Sequence, residues 1–308
     1  FVFGPIANNY SGDEFKSKYN RVWLVNLSDL EYHYYHFNEP GYVMPEVIEN
    51  WPAHGNTNNG EAADLAPFYD VNKNGFYDPQ NGDFPMICGD QAIYFIANDA
   101  GGQQASGGLK TGFEVHGMVY CLNPSVGSVL QQTVFVNYRL INRSNHDYAN
   151  FYTGMMCDFD LGNVTNDLIG SDSVLNMMYV YNSVEVDSVN ASFNINGYPY
   201  SPAQGAMILS HPASSIYGEF GYINSDEGYF SRLLVPEPMI NPEGNYPTNF
   251  IFSGIPEEGD GWILTDNDTA AAEYDPRLMM SSGPYNINSG SQICFDYAFP
   301  FAIDYEGS

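Results

Sequence analysis

The chain has 308 residues, 44% of them hydrophobic, including 20 Phe and 25 Tyr, which is enough apolar material for a real core in one large or two ordinary domains and excludes a disordered chain. Lys and Arg total 9 against 37 Asp and Glu, a formal net charge of −28. That balance excludes nucleic acid as a partner, disfavours anionic membrane surfaces, and makes divalent cations the natural counter-ions.

The chain opens on an apolar run, FVFGPIA, without Met, and reads as a piece of something longer. Residues 1–27 form an edge or entry segment, with a strand predicted in YNRVWLVN, Tyr19 to Asn26. In SDLE, Ser28 and Glu31 have capping-box spacing, which predicts a short helix through Tyr35. A second short helix fits PEVIENWP, with Pro45 in its first turn and Pro52 beyond its end. From Trp51 to Asp83 the chain is dense in Asn, Gly, Asp and Pro and reads as loop.

Strand signals dominate from there. QAIYFIAN, TGFEVHGMVYCLN and QQTVFVNYRLIN are β-branched and aromatic runs bounded by turn residues. NFYTGMMCDFD, VLNMMYVYNSVEV, AQGAMILS, EGYFSRLLV, TNFIFSG and SQICFDYAFPFAI continue the series. Short half-apolar strands bury one face against a second sheet, so the expected fold is all-β: an antiparallel two-sheet sandwich, jelly-roll-like. The expectation is one module over residues 1–308 with a helix and loop insertion at about 28–90.

The loop DVNKNGFYDPQNGD, residues 70–83, spaces oxygen side chains as a calcium loop does. With Asp70 as the first position, Asn72 is third, Asn74 fifth, Gly75 sixth, Phe76 seventh by its main-chain carbonyl, and Asp78 ninth. Asn81 replaces the twelfth-position Glu, and Asp83 two residues later is the candidate to close the shell. No strong helix flanks the loop, which argues against a sensor; the competing reading is an Asx-rich turn. DFDLGNVTNDLIGSD, residues 158–172, offers a second candidate set: Asp158, Asp160, Asn163, Asp167 and Asp172. EEGDGWILTDNDT, with Asp260, Asp266 and Asp268, reads as a charged surface loop.

Catalytic signals are thin. Glu114 and His116 in FEVHG are two apart on a strand and so share a face, a pairing suited to acid–base work but more common as a hydrogen-bonded structural His. GxSxG, HExxH, P-loop and GxGxxG fingerprints are all missing. His33 and His36 in HYYH have helical spacing but sit between tyrosines. Cys88, Cys121, Cys157 and Cys294 show no zinc spacing and allow three full pairings. Tyr-rich segments such as EYHYY and NGYPYSP suit sugar stacking, which keeps a carbohydrate-binding module as the alternative function.

Several strings in order carry a resemblance: YNRVWLVN, PGYVMPEVIENWPAHG, APFYDVNKNGFYDPQNGDFP, GDQAIYFIAND, EVHGMVY, NYRLINRS, CDFDLGN, YPTNF and RLMMSSGPYNINSG. Together they resemble a module of large secreted proteins of Bacteroidota exported by the type IX secretion system. Relatives read DPDLGN…DD…GCD near 158–172, whereas here Ser171 stands where that Cys would be. The resemblance implies a secreted, extracellular or cell-surface module within a longer chain and carries no assigned reaction. The expectation is thus a non-enzymatic, calcium-stapled building block of an extracellular fibre, appendage or adhesin. Its partners would be copies of itself or neighbouring modules, with glycans or a target cell surface beyond them, and without direct membrane insertion.

Overall fold

The computed structural model describes residues 2–101, 108–163, 166–182, 198, 200–220, 238–265 and 276–303. Antiparallel strands dominate, and the fold is all-β, of the sandwich class, with three α-helices among the described residues. The chain reads from sequence as one module but gathers into two compact units, Phe1–Asp147 with Ile287–Phe295, and Tyr148–Asn286 with Asp296–Ser308. Among the described residues no helix is long and apolar enough to cross a membrane.

The first unit runs β1 (Val2–Phe3), α1 (Asp13–Tyr19), β2 (Trp23–Asn26), α2 (Leu27–His36), α3 (Glu46–Glu49), β3 (Phe68–Tyr69), β4 (Phe84–Pro85), β5 (Gln91–Asn98), β6 (Phe113–Cys121) and β7 (Thr133–Asn142). β5, β6 and β7 pair antiparallel in that order, and β1 and β2 both pair with β5. β5 alternates with the period of two that its sequence predicts, burying Ala92, Tyr94, Ile96 and Asn98. That face meets Phe15 and Tyr19 of α1, Leu30 of α2, Ile48 of α3, and Trp23 and Trp51. Both indole N–H groups find carbonyls, Trp23 on Asn50 and Trp51 on Pro67, each at 2.9 Å, so the buried rings leave no donor unpaid.

Two local differences from the sequence reading have simple causes. α1 lies where only an entry segment is expected. Its signal is one helical turn long, Phe15 and Tyr19 four apart on one buried face. α2 starts one residue before Ser28, so no capping box forms there. Asn26 stands at the N-cap, and its amide donates to Asp29 at 2.9 Å.

The second unit runs β8 (Tyr148–Cys157), β9 (Asp167–Asp172), β10 (Met177–Asn182), β11 (Pro202–Ile208), β12 (Ser215–Phe220), β13 (Met239–Asn241), β14 (Tyr246–Thr248), β15 (Pro276–Ile287) and β16 (Gln292–Ile303). The stretch Ile287–Phe295 across the last two strands returns to the first unit. Here β9, β10, β11 and β16 are hydrogen-bonded neighbours in that order, and β12, β15 and β8 in that order form a different sheet. The first buries Ile169, Met178, Val180, Ala206 and Ile208; the second buries Ile216, Leu278 and Met280. Residues 249–252, read from sequence as part of a strand, instead stitch the two sheets. The Ile251 N–H donates to the Ile216 carbonyl at 3.1 Å, and the Phe252 carbonyl accepts the Ser171 N–H at 3.1 Å. Residues 167–172, the end of the second acidic stretch, are strand β9, paired with β10 from Asp167 opposite Asn182 to Asp172 opposite Met177. EGYFSRLLV, residues 227–235, lies outside the described residues.

Candidate functional site

β3 and β4 pair antiparallel, Phe68 with Pro85 and Tyr69 with Phe84, and so clasp the base of the 70–83 loop. Asp83, fully buried at that base, accepts the Val71 N–H at 2.8 Å and the Asp78 N–H at 3.0 Å, one on each carboxylate oxygen. Asp70 does the same for the tip, taking the N–H groups of Asn74 at 3.2 Å and Gly75 at 2.7 Å. Asn72 accepts from Asn74 at 3.0 Å and Asn74 from Phe76 at 2.7 Å, two successive Asx turns. Gly75 has φ of 82°, the left-handed backbone that the sharp sixth position requires.

These turns aim three amides at one carboxylate. Asp78 accepts from Asn72 at 3.1 Å, from Asn74 at 2.9 Å and from Asn81 at 2.7 Å. The Asn81 bond, then the others, hold the Asp78 carboxyl below its ordinary value. Burial pushes Asp83 the other way, its two N–H donors only partly offsetting this, and the Asp78 charge adds to the rise. The far side of the loop is pinned to the core, where the Tyr77 hydroxyl donates to the Ile48 carbonyl at 2.6 Å and the Tyr77 N–H donates to His54 Nε2 at 3.0 Å. His54 Nδ1 faces the Ala63 carbonyl and the Asp64 carboxylate, each at 3.2 Å, so the proton sits on Nδ1. Among the described residues no Lys or Arg forms an ion pair with Asp70, Asp78 or Asp83. Nor do three His, Cys, Asp or Glu side chains anywhere among them gather as a metal-holding group, so an oxygen shell in this loop depends on asparagines and main-chain carbonyls.

The second acidic set is not brought together as a whole. Asp158 pairs with Arg277 Nε at 2.9 Å. Burial and then the Asp158 charge raise the Asp160 carboxyl, with Arg277 opposing. Asp167, buried in β9, accepts the Leu161 N–H at 3.0 Å, which ties the 158–163 stretch to the strand. The carbonyl of Asn163 accepts the Asn166 N–H at 3.1 Å. Asp172 lies five residues further along β9, about 16 Å away, and caps the hairpin by accepting from Val174 and Leu175. The strand that sequence reading missed is what separates it from the others. Asp260 closes a bridge with Ile255, while Asp266 and Asp268 lie outside the described residues.

Glu114 and His116 do share a face, and both are buried. His116 Nε2 meets Glu114 Oε1 at 2.9 Å, Arg143 donates to the same oxygen at 2.8 Å, and the Ile6 N–H donates to Oε2 at 2.8 Å. His116 Nδ1 faces the Tyr94 hydroxyl and an Arg139 N–H at 3.1 Å, so Nδ1 accepts and the proton sits on Nε2. Burial lowers His116, and both arginines add to that against the pull of Glu114. Burial alone would raise Glu114, but His116 and Arg143 outweigh it and hold the carboxyl low. Each polar atom of the pair has a protein partner. The geometry is that of a buttress tying β5, β6, β7 and the entry segment together.

His33 turns inward to the Tyr42 hydroxyl at 2.6 Å and His36 outward to Glu39 at 2.8 Å, so the two do not converge on a common ion. The aromatics of EYHYY interlock at steep angles, Tyr34 against Tyr35 at 78° and against Phe84 at 79°, rather than forming a coplanar row. The cysteines carry thiols, with Cys157 buried and pushed up to about 12 by that burial. No known protein family matches the chain, and no curated protein matches it.

Proposed function

We propose that the chain is a non-enzymatic structural module of an extracellular fibre, surface appendage or adhesin, braced by calcium in the 70–83 loop. The observation that carries this reading is the convergence of the Asn72, Asn74 and Asn81 amides on Asp78, beside an Asp70 already curled around Asn74 and Gly75. A half-turn of the Asn81 amide puts its oxygen where its nitrogen now sits, while the Asn72 and Asn74 oxygens keep their Asx turns and each retain a second lone pair for an ion. Calcium takes six to eight such oxygens at loose geometry. Asp70, Asn72, Asn74 and Asp78 would supply side chains and Phe76 its carbonyl. Asp83, which already holds two N–H groups, would brace the shell from beneath. Asp158, Asp160, Asn163 and Asp167 are a secondary candidate set, without Asp172.

The ordered resemblance to type IX-exported modules supports a location outside the cell and assembly with copies of itself or with neighbouring modules. The charge of −28 fits divalent cations as counter-ions in such an assembly and disfavours nucleic acid and anionic membrane. The test is thermal unfolding with calcium and with a chelator, together with elemental analysis. The expected result is a calcium-dependent rise in Tm and about one ion per chain, both lost in Asp78→Ala. A Tm indifferent to calcium, with no bound ion, sinks the reading. Electron microscopy of the native assembly tests the fibre part.

A further inference from the structure

The first unit also carries a cleft of about 260 Å³ between α1 and the turn at 56–61. Its floor is Glu61, 6% exposed. One Glu61 oxygen accepts the Tyr19 hydroxyl and the Asn56 N–H, both at 2.7 Å, and the other accepts the Asn59 amide at 3.0 Å. Asn59 is fixed in turn, its Oδ1 accepting the Asn9 N–H at 3.1 Å and its Nδ2 donating to the Asn9 carbonyl at 3.2 Å. The floor and wall are thus held by bonds within the protein, a preorganised surface rather than a collapsed one. At the mouth are the Asn58 amide, the Glu14 carboxylate and Lys18, whose ammonium uses one N–H on the His54 carbonyl at 2.9 Å. Two of its N–H groups remain for a ligand.

Size and charge narrow what fits. The cleft is smaller than the roughly 300–1,000 Å³ that holds a drug-sized ligand, so it suits one ring. Glu14 and Glu61 outnumber Lys18, in a chain of net charge −28, which disfavours phosphate and carboxylate ligands. At the mouth the Asn58 amide, which both donates and accepts, lies with the acceptor-only Glu14 carboxylate and the donor-only Lys18 ammonium, a set that matches vicinal hydroxyls, each of which does both. Phe15 lines the cleft from within the core, at 8% exposed, so hydroxyl recognition rather than ring stacking carries the fit. We propose that this cleft binds a single neutral pyranose, as the terminal residue of a glycan. The proposal goes beyond calcium bracing and does not depend on it.

The experiment is an NMR titration of the whole chain with methyl glycosides of glucose, galactose and mannose, run with calcium and again with chelator. At least one glycoside should give saturable binding with a Kd on the order of 1 mM, shifting the side-chain amides of Asn56, Asn58 and Asn59. Asn58→Ala and Glu14→Gln, both at exposed positions, should each weaken it by roughly tenfold while leaving Tm unchanged. Glucose 6-phosphate should bind more weakly than glucose. The proposal is overturned if no glycoside saturates, if both variants bind as the parent does, or if the phosphorylated sugar binds better. Binding that survives chelation keeps this outcome separate from the fate of the calcium loop.

Discussion

The Asp78 main-chain N–H donates to the Asp83 carboxylate at 3.0 Å, yet the two side chains are driven apart in acidity, Asp78 below its ordinary value and Asp83 above it. The amides of Asn81, Asn74 and Asn72 serve the exposed carboxylate, whereas burial and a like charge burden the covered one. Two acids held so close, with no Lys or Arg paired to them among the described residues, form an electrostatic debt that a cation would relieve.

Acid should therefore release calcium. Asp83, raised above 3.8, takes up its proton first as pH falls, and in the ion-free loop that protonation relieves repulsion. Each proton added competes with the ion. Calorimetry across pH should give a flat calcium Kd near neutrality and a progressive weakening as pH falls and Asp83, raised above its ordinary value, takes up its proton. A Kd independent of pH there would remove Asp83 from the ion's surroundings.

Asn81→Asp places a carboxylate at the twelfth position, where the Asn81 amide now lies 2.7 Å from Asp78. Without calcium the new charge faces Asp78 and Tm should fall. With calcium the added charge should tighten binding by about tenfold and Tm should rise above that of the parent. The opposite signs in paired melting curves are the diagnostic.

Glu114→Gln should cost about 3–5 kcal/mol in urea unfolding, because Arg143 and His116 lose a buried partner. The pH dependence has a definite sign. His116 is depressed below 6.5 in the fold, so the unfolded chain binds more protons and stability falls as pH drops below 6.5. Glu114, depressed below 4.5, adds a second loss as pH falls below 4.5. His116→Gln should flatten the first of these two steps.

Tyr77→Phe removes the hydroxyl that the Ile48 carbonyl accepts at 2.6 Å and should cost about 1–3 kcal/mol. Since that bond pins the loop to α3, calcium affinity should also drop, which calorimetry on the folded variant reads directly.

Gly117→Ala would bring a Cβ to 2.2 Å from the ring of Phe95, its cross-strand partner in β5. A cost of about 1–3 kcal/mol is expected, largely recovered in a Gly117→Ala, Phe95→Leu double variant, measured as a coupling in a double-mutant cycle.

Some period-two runs bounded by turn residues were legible, QAIYFIAN being strand β5 to the residue, whereas TNFIFSG, bounded in the same way, is not a strand over 249–252. β9 was hidden because its DLIGSD has only two strongly apolar residues and a Gly, and its identity as a strand comes from pairing with β10. α1 was hidden because its stripe is a single pair, Phe15 and Tyr19, whose burial is decided by distant β5 and β2. In the 70–83 loop the spacing of Asp70, Asn72, Asn74 and Asp78 predicted which side chains would gather. It did not predict that Asn81 joins them, nor that Tyr77 anchors the loop, since the Tyr77 bonds reach Ile48 and His54, 29 and 23 positions away in sequence. The cleft around Glu61 had no sequence signature, because its walls come from residues about forty positions apart.

The first unit is completed only by Ile287–Phe295, with Ile287 and Phe295 buried and Ser289 bonded to Asp147 at 2.8 Å. Those residues leave the ribosome about 140 residues after Asp147, on the order of ten seconds later at ordinary elongation rates. The amino-terminal half therefore cannot fold to completion in order of synthesis. Until its final strip arrives it stays open and vulnerable to sticking, and a chain that crosses a membrane before folding would meet the same delay on the far side.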